Sequence, residues 1–226
     1  MSKLPDVIKS RPMVSDEIME ALREQDVATV HEAMGRRGAM THEIKPVDVS
    51  MKMCGRALTV QCQSGDNLML IKAVNMAKPG DVVIANMGTV VDNSPYGEVL
   101  AVECETKKLA GVVLTCTMRD TAALSRMKIP SFCAGISVFG TVKASKGFIN
   151  HTIVVGGQTV RPGDIILGDR DGVVVIPYEE AEETVRAARV RVEKEAKVME
   201  RLRNGESLFD VYEYQKVWDT LNITEE

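Results

Sequence analysis

Short apolar runs rich in β-branched residues alternate along the chain with stretches of helical spacing. Residues 81–85 and 111–116 are two such runs, and their composition is typical of buried strands. Between them, residues 99–109 form an amphipathic stretch whose spacing predicts a helix. Strand, helix and strand in this order predict a βαβ unit, in which the right-handed crossover makes the two strands parallel.

The same patterns predict the elements around this unit. Ser15 precedes two acidic residues and is a typical N-cap, so a first helix is expected to open there. A helix over 66–77 is expected to carry Leu68, Ile71 and Val74 on one apolar stripe. The other expected elements are a helix from Val27 to Met34 ending at Gly35, strands at 55–62, 165–167 and 173–177, a short strand or its approach at 129–133, and a hairpin turning at Gly156 and Gly157.

A long charged helix is predicted from Tyr178 to about Asn204, with Gly205 in the capping role. The tail beyond it concentrates large apolar and aromatic side chains, including the single tryptophan, Trp218. Soluble monomers rarely expose such a patch, so the tail is expected to fold back or, preferably, to dock on a neighbouring subunit. The chain is therefore divided into an α/β domain, 1–177, and a helical extension, 178–226, that packs on the neighbour.

Composition narrows the function classes. A hydrophobic content of 45% supports a packed core, which excludes global disorder. A net charge of −4 and a pI near 5.6 argue against nucleic-acid binding, which favours a basic face. No run reaches the ~20 apolar residues that span a bilayer, and no signal region opens the chain, so we expect a cytoplasmic protein that does not bind membranes. The five cysteines lack CxxC spacing and are expected to be reduced core thiols rather than zinc ligands.

The candidate chemistry lies in two residue pairs. Gly97-Glu98 is followed, after 20 intervening residues (99–118), by Arg119-Asp120. Both pairs follow predicted parallel strands, and α/β sheets keep their ligand crevices at the carboxyl ends of such strands. Two carboxylates, one guanidinium and the free N–H groups of a helix start would meet there. Such a site suits a hard divalent cation and an anionic substrate.

Each of these residues also has a purely structural interpretation. Asp120 precedes a short apolar stretch and could cap a helix. Glu98 could be a first-turn acid that the helix dipole favours. Arg119 could simply pair with either carboxylate. The spacing alone leaves the structural and catalytic interpretations about equal.

An ordered series of motifs resembles one known family, which joins the regulator of ribonuclease activity A to the class II pyruvate aldolases. The resemblance covers about residue 15 to the C-terminus. The matching segments are 79–84, 97–101, 110–113, 118–120, 140–143, 160–164 and 169–175. The implied fold is a swivelling β/β/α domain, and the implied assembly is a homotrimer or a homohexamer formed as a dimer of trimers.

The resemblance also implies an activity. The aldolases of this family cleave 4-hydroxy-4-methyl-2-oxoglutarate and 4-carboxy-4-hydroxy-2-oxoadipate, so the implied substrate is a small keto acid, with oxaloacetate decarboxylation as a companion reaction. The family's acid-x20-Arg-Asp signature falls on Glu98, Arg119 and Asp120, although its first acid is commonly Asp. The loop at 86–93 also lacks the family's more usual Asp-Gly-Gly run.

The family's roles transfer to individual positions. Asp120 and Glu98 would bind Mg²⁺ or Mn²⁺, directly or through water. Arg119 would stabilise the pyruvate enolate. Gly97, with the N–H groups of Val99 and Leu100, would receive the substrate carboxylate.

The family also implies a residue shared between subunits. Aligned without a gap from the Gly140 motif, Glu195 is the glutamate that a neighbouring subunit's long helix contributes, where it would orient a water that carries the proton. From its position alone, Glu195 is better explained as a solvated charge paired with Arg191.

Two other functions compete with the aldolase. A non-enzymatic regulator of ribonuclease activity would act by protein–protein binding, but that branch typically stops short of the long C-terminal helix. A methyltransferase, a label this family has carried, would need a glycine-rich nucleotide turn after an early strand, and no such turn occurs in the sequence.

Overall fold

The computed structural model describes residues 4–224, and an eight-stranded mixed sheet forms its centre in the order β1-β6-β4-β3-β2-β11-β12, with β8 pairing with β2. The strands of this sheet are β1 (Lys45–Pro46), β2 (Met53–Gln61), β3 (Asp81–Asn86), β4 (Gly111–Leu114), β6 (Ser131–Cys133), β8 (Phe148–Ile149), β11 (Ile165–Asp169) and β12 (Gly172–Ile176). Two small sheets pair β5 (Thr117–Met118) with β7 (Gly135–Ile136), and β9 (Ile153–Val155) with β10 (Gln158–Val160).

The helices are α1 (Asp16–Arg23), α2 (Val27–Ala33), α3 (Leu68–Met76), α4 (Glu98–Thr106), α5 (Thr121–Leu124), α6 (Ala181–Arg203), α7 (Leu208–Val211) and α8 (Gln215–Thr220), with a 3₁₀ turn at Tyr178–Glu180. Ser15 caps α1 by accepting the N–H of Ile18, as predicted. Within residues 4–224, no helix combines the length and apolar character that a bilayer crossing requires.

The predicted βαβ unit is confirmed. β3 and β4 are parallel neighbours, and α4 connects them. β2 and β6 extend the parallel region on either side. The carboxyl ends of β3 and β4 therefore open towards the same edge of the sheet, which is the edge where the two residue pairs lie.

The strands bury both of their faces, because successive side chains point to opposite sides. On one face, Leu58, Val83 and Val112 pack into a cluster that α3 and α4 complete. On the other face, Ile84 and Val113 pack against the β9–β10 hairpin. That hairpin turns at Gly156 and Gly157, which both adopt positive φ, as the sequence predicted.

The predicted stripe of α3 was wrong. The helix buries Leu70, Ala73 and Val74, whereas Leu68 is 41% exposed. The sheet packs against the positions at i, i+3 and i+4 that begin at Leu70. The helix also begins two residues later than predicted, because the Asp66 carboxylate accepts the N–H of Leu68 at 2.8 Å.

The long C-terminal helix is present as α6 and ends before Gly205, which has φ +93°. Its first turns bury Ala181, Val185 and Ala188 and pack against α1 and α2, whereas no residue of α6 beyond Ala188 is buried.

The aromatic tail packs mainly on itself. Phe209 lies edge-on to Tyr214 and Trp218, with ring centroids 6.1 and 6.0 Å apart, and Lys194 of α6 lies over Tyr212. Val217 remains 54% exposed, and neither α7 nor α8 contains a buried residue. Docking of this tail on a neighbour stays a prediction.

The five cysteines are buried and free. Burial raises the pKa of the Cys54, Cys62, Cys104 and Cys116 thiols to about 12. Since the thiolate is the nucleophile and the metal ligand, these groups are core packing, as predicted.

Candidate functional site

The two residue pairs meet in space. Gly97 is the N-cap of α4, and Arg119 follows β5 directly. The N–H of Arg119 donates to the carbonyl of Tyr96 at 3.1 Å, which joins the two loops through the backbone. The convergence predicted from parallel strand ends is therefore present.

Asp120 bridges the loops through its side chain. Its Oδ2 accepts the N–H of Glu98 at 3.0 Å, so the carboxylate sits at the N-terminus of α4. Asp120 precedes α5, yet its side chain forms no capping hydrogen bond to that helix. The capping interpretation was thus right about the kind of interaction and wrong about the helix. Asp120 has φ +56°, a left-handed conformation that favours glycine and that Asp tolerates better than most residues.

Gly97 makes this arrangement sterically possible. A Cβ atom at this position would overlap Oδ2 of Asp120 and would lie 3.0 Å from Cγ of Arg119. The φ of Gly97 is −156°, which is ordinary extended backbone. Close approach, and not backbone conformation, therefore requires glycine here.

Arg119 and Asp120 open onto a cavity. Nε of Arg119 lies 3.9 Å from Oδ2 of Asp120, and the two side chains are 47% and 45% exposed. The cavity has a volume of about 430 Å³ and is lined by Arg119, Asp120, Thr121, Ile136, Ser137 and Val138. One cation and one anion thus face a space with both hydroxyl and apolar walls.

The start of α4 offers unused donors beside this cavity. Within residues 4–224, the N–H groups of Val99 and Leu100 have no hydrogen-bond partner. Free N–H groups and the helix dipole together make a helix N-terminus a site for anions. A carboxylate would fit there, next to the guanidinium of Arg119.

The acidic groups fit a water-rich metal site. Oδ1 of Asp120 and the carboxylate of Glu98 accept no hydrogen bond from the described residues, and Glu98 is exposed. No group of three or more His, Cys, Asp or Glu side chains that could hold a metal ion occurs within residues 4–224. Mg²⁺ commonly takes only one or two carboxylates and keeps several waters. Asp120 and Glu98 fit such a site, and they would not enclose an ion in protein ligands.

Two buried hydroxyls hold the wall of the cavity in place. Ser94 Oγ donates to the carbonyl of Ser137 at 2.8 Å and contacts Thr117 Oγ1, also at 2.8 Å. Thr117 Oγ1 in turn donates to the carbonyl of Asp92 at 3.0 Å. The loop before Gly97 and the Ser137 segment are therefore joined through side chains that are 1% and 8% exposed.

The sequence profile of the RraA-like family, described as Aldolase/RraA, matches residues 17–175. This match spans well over half of the chain. The chain belongs to the RraA-like family.

Named relatives lean towards the aldolases of this family. A protein of Halalkalibacterium halodurans, named "Putative 4-hydroxy-4-methyl-2-oxoglutarate aldolase", is 37% identical over 150 residues, which are 66% of this chain and 71% of the relative. An uncharacterized protein of Methanocaldococcus jannaschii is 33% identical over 170 residues, which are 74% of this chain and 82% of that one.

A solved structure supports the RraA-like fold. Streptomyces coelicolor RraAS2, described as an unusual member of the RNase ES inhibitor RraA protein family, has a TM-score of 0.71 and is 23% identical, covering 87% of this chain and all of that one. At this identity the likeness concerns the fold alone.

Glu195 does not join the site within its own chain. It pairs with Arg191 at 2.6 Å on α6, and Arg191 also approaches Glu32 of α2 at 3.7 Å. No contact links Glu195 with Arg119 or Asp120 within the described residues. The single chain therefore shows the helical pair that position alone predicted, and sharing of Glu195 between RraA-like subunits stays a prediction.

Sequence reasoning missed part of the cavity. Ile136, Ser137 and Val138 line it, but the sequence patterns assigned them no role. The signal was weak, since β7 is only two residues long. Its parallel pairing with β5 brings its carboxyl end to the same side as Arg119.

Proposed function

We propose that the protein is a divalent-metal-dependent class II pyruvate aldolase. The substrate is a 4-hydroxy-2-oxo diacid of the 4-hydroxy-4-methyl-2-oxoglutarate or 4-carboxy-4-hydroxy-2-oxoadipate type, and the products are pyruvate and a second keto acid. One observation carries the proposal: the Asp120 carboxylate, the Arg119 guanidinium and the free N–H groups of α4 stand side by side at the cavity. Family membership and the aldolase name of a relative support it.

The near end of the substrate is recognised by α4 and Arg119. The substrate's C1 carboxylate accepts the N–H groups of Val99 and Leu100, which have no other partner within residues 4–224. Arg119 then donates to the keto oxygen at C2. This placement directs the C3–C4 bond into the cavity.

Asp120 and Glu98 would hold Mg²⁺ or Mn²⁺, which supplies Lewis-acid polarisation of the 2-keto group when bound. Asp120 does so while one of its oxygens stays on the N–H of Glu98. That hydrogen bond fixes the direction of the carboxylate, and Gly97 leaves the room for it.

The bond change is a retro-aldol cleavage. The C4 hydroxyl loses its proton, the C3–C4 bond breaks, and the electron pair passes to the C2 oxygen as an enolate. Arg119 stabilises this developing oxyanion, and protonation at C3 then releases pyruvate. Loss of CO₂ from oxaloacetate gives the same enolate, so decarboxylation is a companion activity.

A pyruvate-release assay tests the proposal. Purified protein is treated with EDTA and assayed with both 4-hydroxy-2-oxo diacids and with oxaloacetate, before and after Mg²⁺ or Mn²⁺ is added. Pyruvate should appear only after the metal is added. Activity that survives exhaustive chelation would point to a lysine Schiff base instead, and the absence of pyruvate from every substrate would contradict the aldolase.

The proposed active site is shared between subunits of a homotrimer or homohexamer. The exposed aromatic tail and the exposed second half of α6 support this assembly. Glu195 of a neighbouring copy would take up the proton of the C4 hydroxyl through a water. Inactive Arg119→Ala and Glu195→Ala proteins, unfolded and refolded together, should regain activity. No recovery, with subunit exchange demonstrated, would leave the site within one chain.

The regulatory alternative rests on fold likeness to an RNase ES inhibitor family member. A regulator would bind a protein partner and release no pyruvate. The assay above therefore separates the two functions.

A further inference from the structure

We propose that the cavity selects a methyl group, and not a carboxymethyl group, at C4 of the substrate, with Val138 and Ile136 as specificity-determining residues. This inference rests on the proposed aldolase function and decides between its two candidate diacids. 4-Hydroxy-4-methyl-2-oxoglutarate carries a hydroxyl, a carboxylate and a methyl group at C4. 4-Carboxy-4-hydroxy-2-oxoadipate replaces that methyl group with a carboxymethyl group.

The direction of the substrate places C4 in the cavity. The C1 carboxylate lies at the start of α4, whose residues do not line the cavity. The keto oxygen lies at Arg119, which forms part of the lining. C4 is two bonds beyond the keto carbon, so its substituents extend towards the remaining wall.

That wall has hydroxyls for one carboxylate. Thr121 and Ser137 are its polar residues, and Thr121 Oγ1 has no hydrogen-bond partner within residues 4–224. These two groups can bind the hydroxyl and the carboxylate that both substrates share. The only cation among the lining residues is Arg119, and it already faces Asp120 at 3.9 Å.

The rest of the wall is apolar. Ile136 and Val138 complete the lining. A methyl group gains from contact with them, whereas a second carboxylate would lose water there without gaining a partner. Both side chains belong to the segment that Ser94 ties to the loop before Gly97, so the apolar wall keeps a fixed position relative to Arg119.

The experiment compares kcat/KM for the two diacids in the full-length protein with Mg²⁺, and uses oxaloacetate as a reference that needs only the pyruvate end of the site. Wild type should prefer the methyl substrate by at least about tenfold, the lower end of what one apolar contact discriminates. Val138→Lys should move this ratio towards the carboxymethyl substrate. Val138→Met, a neutral control of similar length, should not. Val138 is 84% exposed, so both variants should fold.

Each outcome is decisive. A wild-type preference for the carboxymethyl substrate, which a cation from a second copy could produce, overturns the inference. So does a ratio that Val138→Lys leaves unchanged. Turnover of oxaloacetate with either of these results leaves the aldolase proposal intact, whereas no pyruvate from any of the three substrates removes both.

Discussion

Two aspartates at helix starts, Asp66 and Asp120, have opposite surroundings. Asp66 is 2% exposed and accepts three backbone N–H groups, from Leu68 at 2.8 Å, Ala144 at 2.6 Å and Ser145 at 2.7 Å. Asp120 is 45% exposed and accepts one, from Glu98 at 3.0 Å. Asp66 has spent its hydrogen-bonding capacity on the backbone, whereas Asp120 keeps an oxygen for a ligand. The difference separates a structural carboxylate from a chemical one.

The electrostatics of Asp66 agree with its structural role. Burial alone raises the pKa of a carboxyl group, but the N–H groups of Ala144, Leu68 and Ser145 outweigh it and hold the pKa of Asp66 below its ordinary value. The carboxylate is therefore stabilised in its charged form by the fold. It ties the loop at 144–145 to the start of α3.

The largest expected effect is at Arg119. Arg119→Ala should lower turnover by roughly 10²–10³-fold, the loss typical of one oxyanion donor. Arg119→Lys should recover little, because a point charge does not reproduce the planar guanidinium. The thermal transition should stay near that of wild type, since the side chain is 47% exposed. Steady-state pyruvate release and calorimetry check both statements, and wild-type turnover in Arg119→Ala would remove it from the mechanism.

Gly97→Ala should have the next largest effect. The new Cβ would displace the Asp120 carboxylate from the N–H of Glu98, and a shift of about 1 Å in a catalytic group can cost about 10²-fold. Gly135→Ala is the matched control, because its Cβ would meet Thr117 Cγ2 at an ordinary 3.4 Å. Pyruvate-release kinetics of the two variants are compared, and equal activities would show that the close approach at Gly97 has no functional value.

Asp66→Asn should instead reduce stability. An amide oxygen accepts these three N–H bonds more weakly than a carboxylate does, and its NH₂ group adds a donor where acceptors are needed. The expected loss is about 1–3 kcal/mol, measured by urea denaturation. The metal concentration for half-maximal activity should not change. A stable Asp66→Asn protein that needs more metal would reverse the comparison between the two aspartates.

The smallest effect is in the pH dependence of that stability. A carboxyl group whose folded pKa is depressed contributes stability above its unfolded pKa, ordinarily 3.8, and loses it as pH falls towards the folded value. The gap in unfolding free energy between wild type and Asp66→Asn should therefore be full at pH 6 and shrink below about pH 4. Denaturation curves at both pH values check this, and a constant gap would contradict the charge-based role.

The sequence predicted the core and the meeting of the two loops, because β-branched runs and crossover handedness determine them. It did not predict which helix Asp120 would cap, since the contact from Asp120 to Glu98 depends on how two loops approach in space. Its error on α3 has a similar cause, because Leu68 fits a helical stripe but the sheet meets Leu70.

The hydroxyl pair of Ser94 and Thr117 also had no sequence signal. Single serines and threonines are common in loops, and only the fold brings these two within 2.8 Å. Glu195 shows the opposite limit: its pairing with Arg191 follows from helical spacing, and its proposed role depends on a second copy.

Divalent-cation binding tests the difference between the two aspartates most directly. Mn²⁺ affinity is measured by water-proton relaxation for wild type, Asp120→Asn and Asp66→Asn, at a temperature where circular dichroism shows all three folded. Asp120→Asn should weaken binding by more than about tenfold, because the site loses an anionic ligand, while Asp66→Asn should bind as wild type does. Unchanged affinity in Asp120→Asn, or an equal loss in Asp66→Asn, would contradict the assignment of the metal to Asp120.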